Sequence, residues 1–299
     1  MNKKFIHFMK NFSYSLTSNL VSFIISILIV LIIPKLIGVE EYGYWQLYIF
    51  YVSYVGFLHF GWNDGIYLRY GGKDYEKLDK PLFYSQFIML MMSQAIFTSF
   101  IFVYSSLFVS NINKVFIFQT IAFVLLIVNA RVMLQLILQS TNRIKEYAQI
   151  TIMDKLLYMI LIITFLLIGI RDFKFMIIAD IIGKFISLLY AIYCCRDLVI
   201  HRISTFYFSF KETVINVSVG IKLMFSNIAS MLIIGNVRFG IERTWDVSTF
   251  GKVSLTLSIS NLMMLFINAM GIIMFPVLRR TDEERLPSIY NDEKFVDDH

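Results

Sequence analysis

Charge is scarce in this chain. Asp, Glu, Lys and Arg make up 16% of its 299 residues, against about 25% in an ordinary soluble protein. That shortfall excludes a solvated globular surface. Cysteine is rarer still. The two present, Cys194 and Cys195, are adjacent. Neighbours on a helix point in different directions, which excludes a disulfide framework and predicts two free thiols. The four histidines, His7, His59, His201 and His299, are scattered, none at metal-ligand spacing from another His or a Cys. Phosphate-loop, zinc-protease, nucleophile-elbow and C-x-x-C motifs are all missing. Gly71-Gly72 and Gly61-Trp62-Asn63-Asp64-Gly65 are turn chemistry instead. The expectation is a protein that is not an enzyme and carries no cofactor and no metal.

Long apolar runs are abundant. The chain is 58% hydrophobic with mean hydropathy +0.69. Runs of about 20 residues recur, each long enough to cross a hydrocarbon core of ~30 Å. A β-barrel would show short alternating segments instead. The fold class is therefore an all-α polytopic membrane protein, with about eight transmembrane helices near 12–37, 44–60, 82–108, 115–138, 147–170, 175–194, 220–239 and 250–275. Residues 1–11 read as a basic amphipathic lead-in at the membrane surface. Placing the N-terminus inside leaves Lys35, Lys114, Arg171, Lys174, Arg238 and Arg243 outside, against sixteen Lys and Arg inside. That bias puts both termini in the cytoplasm. The net charge of +6 is accounted for by those loops and predicts no nucleic-acid partner.

One pattern is written twice. Ser18-Asn19-Leu20-Val21-Ser22 opens a segment closing on Gly43, and Ser226-Asn227-Ile228-Ala229-Ser230 opens one closing on Gly251. A single offset of 208 aligns both ends without a gap, the sign of an internal repeat. Six spans lie in the first copy, so both copies enter from the same side and the repeats are parallel. The expected organisation is a six-helix first lobe (1–195), a cytoplasmic interfacial linker ending in a short surface helix (196–219), and an incomplete second lobe of two helices with a cytoplasmic tail (220–299). A second lobe equal to the first would need about four further spans, so the expectation is a truncated second lobe.

Charges within spans are costly and mark functional candidates. Arg131, Lys155, Lys184, Lys222 and Lys252 stand against Asp154 and Asp180. Asp180 and Lys184, four apart, are expected to form a structural ion pair. Arg131 lies deep in the fourth span, and Gln135 and Gln139 follow on the same face, lining either a helix contact or a water-filled cavity. Asn19 belongs to a polar stripe on the first span, Lys222 to one with Ser226 and Ser230 on the seventh, where Asn227 is the repeat counterpart of Asn19, and Asn261 and Asn268 to one on the eighth. If the halves face each other, these stripes wall a cavity with excess positive charge, suited to a phosphate or pyrophosphate headgroup. The substrate-binding candidates are thus Arg131, Lys222, Lys252, Gln135, Gln139, Asn19, Asn227 and Asn261.

The lead-in, the Ser18-Asn19…Gly43 helix pair, the Gly65-Ile66-Tyr67-Leu68-Arg69-Tyr70-Gly71 loop and the Phe275-Pro276-Val277-Leu278-Arg279-Arg280 exit together resemble bacterial polysaccharide flippases. These are the Wzx type within the multidrug, oligosaccharidyl-lipid and polysaccharide exporter superfamily. The resemblance implies two six-helix lobes and a cationic central cavity. It implies movement of undecaprenyl-pyrophosphate-linked oligosaccharide across the bacterial inner membrane by alternating access, for O-antigen, capsule or exopolysaccharide. A polysaccharide polymerase and a chain-length regulator would be partners, with membrane lipids around the helices. The alternative is ion-coupled efflux of a small molecule on the same fold, which the scarcity of intramembrane Asp and Glu disfavours. A membrane enzyme would be expected to carry a large outer loop or intramembrane histidine sites.

Overall fold

Apolar runs with few breakers fold as long helices, because hydrocarbon leaves the backbone no partner but itself. The computed structural model describes residues 3–262, with side chains from Met9 onward. Its helices are α1 (Lys3–Leu36), α2 (Val39–Val55), α3 (Trp62–Tyr70), α4 (Lys80–Phe108), α5 (Ile112–Ser140), α6 (Ile144–Leu167), α7 (Phe173–Cys194), α8 (Arg196–Val199) and α9 (Phe210–Thr244). Residues 247–255 are helical as well and are termed α10. There is no strand among the described residues. The chain is an all-α polytopic membrane protein, and six of these helices are long and apolar enough to cross a bilayer. They are α1 from Met9, α4, α5, α6, α7 and α9.

Short connections between spans are closed by side-chain caps. Asp79 Oδ1 accepts from the Leu82 amide at 3.1 Å, Asn111 Oδ1 from the amides of Asn113 (2.9 Å) and Lys114 (3.1 Å), and Asp172 Oδ1 from that of Lys174 (2.8 Å). Each such cap contributes about 1 kcal/mol and fixes where its helix begins.

α5 is the central helix. Of its apolar window 67% is buried inside the protein, against 11% for α9. On one side it packs into a cluster with Trp45, Tyr48, Phe173 and Met176, and on the other into one with Trp62, Phe83, Leu90 and Leu188.

The second predicted span, read from the sequence as the shortest with an irregular exit at Gly56, Gly61 and Gly65, is not among the six helices long and apolar enough to cross. α2 has 17 residues, about 26 Å at 1.5 Å per residue, and nine of them are buried. A 3₁₀ turn (Gly56–His59) follows, and the left-handed residues Phe60 (φ 51°) and Gly61 (φ 80°) break the path before α3. The expected surface helix before the seventh span is also corrected. α9 starts at Phe210 and runs unbroken for 35 residues. Its first turns are packed, with Glu212, Thr213 and Asn216 all bonded to α3 or α4. Nor is the lead-in separate, since α1 is one helix of 34 residues.

α3 and α9 meet at backbone contact. A Cβ on Gly65 would collide with the Asn216 carbonyl oxygen, and one on Gly220 with that of Gly61. The spacing of 208 reappears in the element bounds. α1 closes at Leu36 and α9 at Thr244, while the helices after them open at Val39 and Val247.

Residues up to Leu255 form one compact unit, holding the first six predicted spans, the linker and the seventh. Thr256 begins a second, of which 256–262 are described, as helix. Half of the predicted eighth span, Asn268, the Phe275–Arg280 motif and the tail lie outside the described residues.

Candidate functional site

Steps of four place Arg131, Gln135 and Gln139 on one face of α5. The structure divides this stripe. Arg131 is buried, its Nη1 2.6 Å from Asp154 Oδ2 on α6 and donating to Ser187 Oγ on α7 at 3.1 Å. Gln135 Nε2 donates to Thr151 Oγ1 on α6 at 3.1 Å. These two make helix contacts. Gln139, one turn further, lines an open cavity instead.

A second pair stands close to the first. Asp180 and Lys184, on one face of α7, form a buried ion pair. The Tyr48 hydroxyl on α2 donates to the other Asp180 oxygen at 2.6 Å, and Trp45 Nε1 donates to the Tyr158 hydroxyl at 3.1 Å. Lys155, half-buried beside Asp154, completes the group and feels the charges of Lys184, Asp154, Asp180 and Arg131. Three cations against two carboxylates leave one positive charge in excess within this group. Such pairs hold together in low dielectric only with close geometry and further hydrogen bonds on the remaining lone pairs and protons. Ser187 and Tyr48 supply those bonds, while the buried Arg131 Nε has none.

The cavity reached by Gln139 has a volume of about 880 Å³. It lies between the end of α5 and the stretch after α3, lined by Tyr67, Lys73, Tyr75, Lys77 and Asn142 among others. Lys73 Nζ sits 4.3 Å from the Tyr70 ring centroid. Rings, amides, ammonium groups and the carboxylates of Asp74 and Glu76 share one opening, and Asp74 Oδ2 lies 2.5 Å from Lys77 Nζ. No three His, Cys, Asp or Glu side chains converge as metal ligands among the described residues.

Other candidates fall elsewhere. Asn19 on α1 and Lys222 and Asn227 on α9 are exposed. Lys252 is exposed on α10 and holds an interaction of its own. Asn261 belongs to the second compact unit. The partners of Arg131, Gln135, Asp154 and Asp180 described above do not include Asn19, Lys222 or Asn227.

Sequence reasoning left Arg69 as a loop cation and overlooked its partners. Arg69 Nη1 is 2.6 Å from Glu212 Oε1 and also bonds Asn216 Oδ1, and the Tyr70 hydroxyl donates to Glu212 at 2.9 Å. Gln86 on α4 extends the network. Its Oε1 accepts from Trp62 Nε1 at 2.7 Å, and its Nε2 donates to Ser209 Oγ at 2.6 Å. A glutamine inside an apolar run was the available signal. Near the far end of α9, Lys114 Nζ is 2.6 Å from Glu242 Oε1. Arg238, expected in an outer loop, lies instead within α9. Its Nη2 donates to the Ser254 carbonyl at 3.3 Å and its guanidinium is 5.9 Å from the Phe50 ring centroid. Comparison with protein-family models, curated proteins and solved structures finds no match in any of the three.

Proposed function

We propose that this chain carries a phosphate-linked saccharide lipid across a bacterial inner membrane, as an undecaprenyl-pyrophosphate oligosaccharide flippase does, with its basic helix ends in the cytoplasm. One observation carries this reading: the 880 Å³ cavity where Gln139 meets Tyr67, Tyr75 and Lys73, with Lys77 there paired to Asp74 at 2.5 Å. Aromatic faces and amides suit sugar rings and hydroxyls, and ammonium groups suit phosphate oxygens. The excess positive charge among Arg131, Lys155 and Lys184 and the resemblance of the sequence to Wzx-type flippases support it further. Transport into surface polysaccharide would then engage a polymerase and a chain-length regulator.

A second reading, ion-coupled efflux of a small molecule, draws on Asp154 and Asp180, two carboxylates buried in spans. Both are already neutralised by Arg131 and Lys184, so the first reading is preferred.

Binding is the direct test. The full chain in nanodiscs is titrated with an undecaprenyl-pyrophosphate-linked disaccharide, then the Lys73→Glu/Lys77→Glu variant likewise. Reversing two charges should weaken binding by about tenfold or more. Absence of binding, or equal binding by the variant, counts against the cavity and the reading with it.

A further inference from the structure

A second opening, of about 390 Å³, lies between the start of α6 and the end of α7. It shares no lining residue with the cavity beside Gln139. Arg143, Lys145, Arg196, Tyr190 and Tyr193 line it. Arg143 is already committed. Its Nε (3.1 Å) and Nη2 (2.9 Å) donate to Glu146 Oε1, its Nη1 donates to the Cys194 carbonyl at 3.1 Å, and its guanidinium lies 4.4 Å from the Tyr75 ring centroid. Arg143 therefore builds the wall and neutralises Glu146. Lys145 and Arg196 are left, both exposed, with no carboxylate within ion-pair distance among the described residues. Arg196 rests beside Tyr193, 5.9 Å from its ring centroid. The Tyr190 and Tyr193 rings stack at 6.4 Å, and the Tyr190 hydroxyl donates to Gln149 at 2.9 Å.

Below the cations the surface turns apolar. Phe185, Leu189 and Tyr193 stand at steps of four on α7, 47%, 49% and 66% exposed, with Ile186 beside them. In a bilayer this bare face meets acyl chains. From the helix end inward the order is thus two uncompensated cations, two tyrosine rings, then an aliphatic stripe. A phospholipid has the same order of phosphate, glycerol backbone and chains, and tyrosine prefers that intermediate depth.

We infer that the α6–α7 groove is a binding site for an anionic phospholipid, with the phosphate between Lys145 and Arg196 and the chains along Phe185, Ile186 and Leu189. A basic pocket at helix ends favours an anionic headgroup over a zwitterionic one. The apolar stripe selects a lipid over free phosphate, because the ion would leave that face unused.

Native mass spectrometry of the delipidated full chain tests this, with phosphatidylglycerol, phosphatidylcholine or inorganic phosphate added back. Wild-type protein should retain one phosphatidylglycerol that survives activation, and millimolar phosphate should not displace it. Lys145→Ala/Arg196→Ala should weaken that retention about tenfold or more, while Lys145→Arg/Arg196→Lys keeps it. Thermal unfolding monitors the fold. Should the double alanine variant unfold, Lys145→Gln/Arg196→Gln takes its place with the same expectation. Equal retention by the charge-removed variant overturns the site. So does equal retention of phosphatidylcholine by the wild type. Displacement by inorganic phosphate overturns the lipid in favour of a free anion.

Discussion

Gly43 and Gly251 meet face to face. A Cβ on Gly251 would lie 2.9 Å from the Gly43 Cα and 3.0 Å from its amide nitrogen. α2 and α10 thus touch backbone to backbone, through two residues 208 apart that the repeat pairs with each other. Gly251→Val should force the helices apart and cost about 1–3 kcal/mol as overpacking. Gly240→Ala on α9, where a Cβ meets nothing within 4 Å, should be neutral or stabilising by up to about 1 kcal/mol. Unfolding midpoints in detergent compare them, and equal losses at both positions would sink the packing argument.

Asp154→Asn leaves the Arg131 guanidinium buried without its carboxylate. Removing one partner of a buried pair costs about 3–5 kcal/mol, whereas replacing both with apolar groups is close to neutral. Arg131→Met/Asp154→Leu should therefore be markedly more stable than Asp154→Asn alone. A double-mutant cycle on chemical unfolding measures the difference, and additive losses would mean the pair does not couple.

Reversing either charge of Arg69 and Glu212 should loosen the start of α9 from α3. Arg69→Glu and Glu212→Arg should each speed amide exchange over 210–220, and the double reversal should slow it again. Exchange that is fast in all three variants would assign the order of this segment to Gln86 and the glycine contacts instead.

Outside the spans, Asp197 gives a pH dependence. Burial by itself would raise its carboxyl. The Lys80 ammonium at 2.8 Å and the Tyr75 hydroxyl at 2.7 Å outweigh that and hold it below the usual carboxylate range. A folded value below the unfolded one means stability that is present above about pH 4 and lost as pH falls through the depressed value. About a third of the side chain is accessible (34%), so solvent screening keeps the effect small. Lys80→Gln should flatten the acid limb of the stability curve, and an unchanged limb would remove Asp197 from it.

The long spans were legible because twenty apolar residues in a row leave few alternatives. The break after α2 was partly legible, since Gly56, Gly61 and Gly65 punctuate that stretch. Partners across helices were not. Periodicity shows that Arg131 and Gln135 share a face, but Asp154 lies 23 positions along on another helix, and no local pattern marks the match. Arg238 misled for a related reason. A cation near a span end reads as a loop residue, and only the packing of α2 and α10 around it shows that it is half-buried. The lining of the Gln139 cavity comes from the end of α5 and from 67–77 together, which requires the tertiary fold.

α9 is fastened near both ends, at Glu212 by Arg69 and at Glu242 by Lys114. Thirty residues of helix separate the two fastenings, about 45 Å, so they stand on opposite sides of a hydrocarbon layer of ~30 Å. A stiff rod held at two such points cannot swing. The first turns are pinned further by Gln86, through Thr213 and Asn216, so loss of the Arg69–Glu212 pair alone leaves that end of the rod in place.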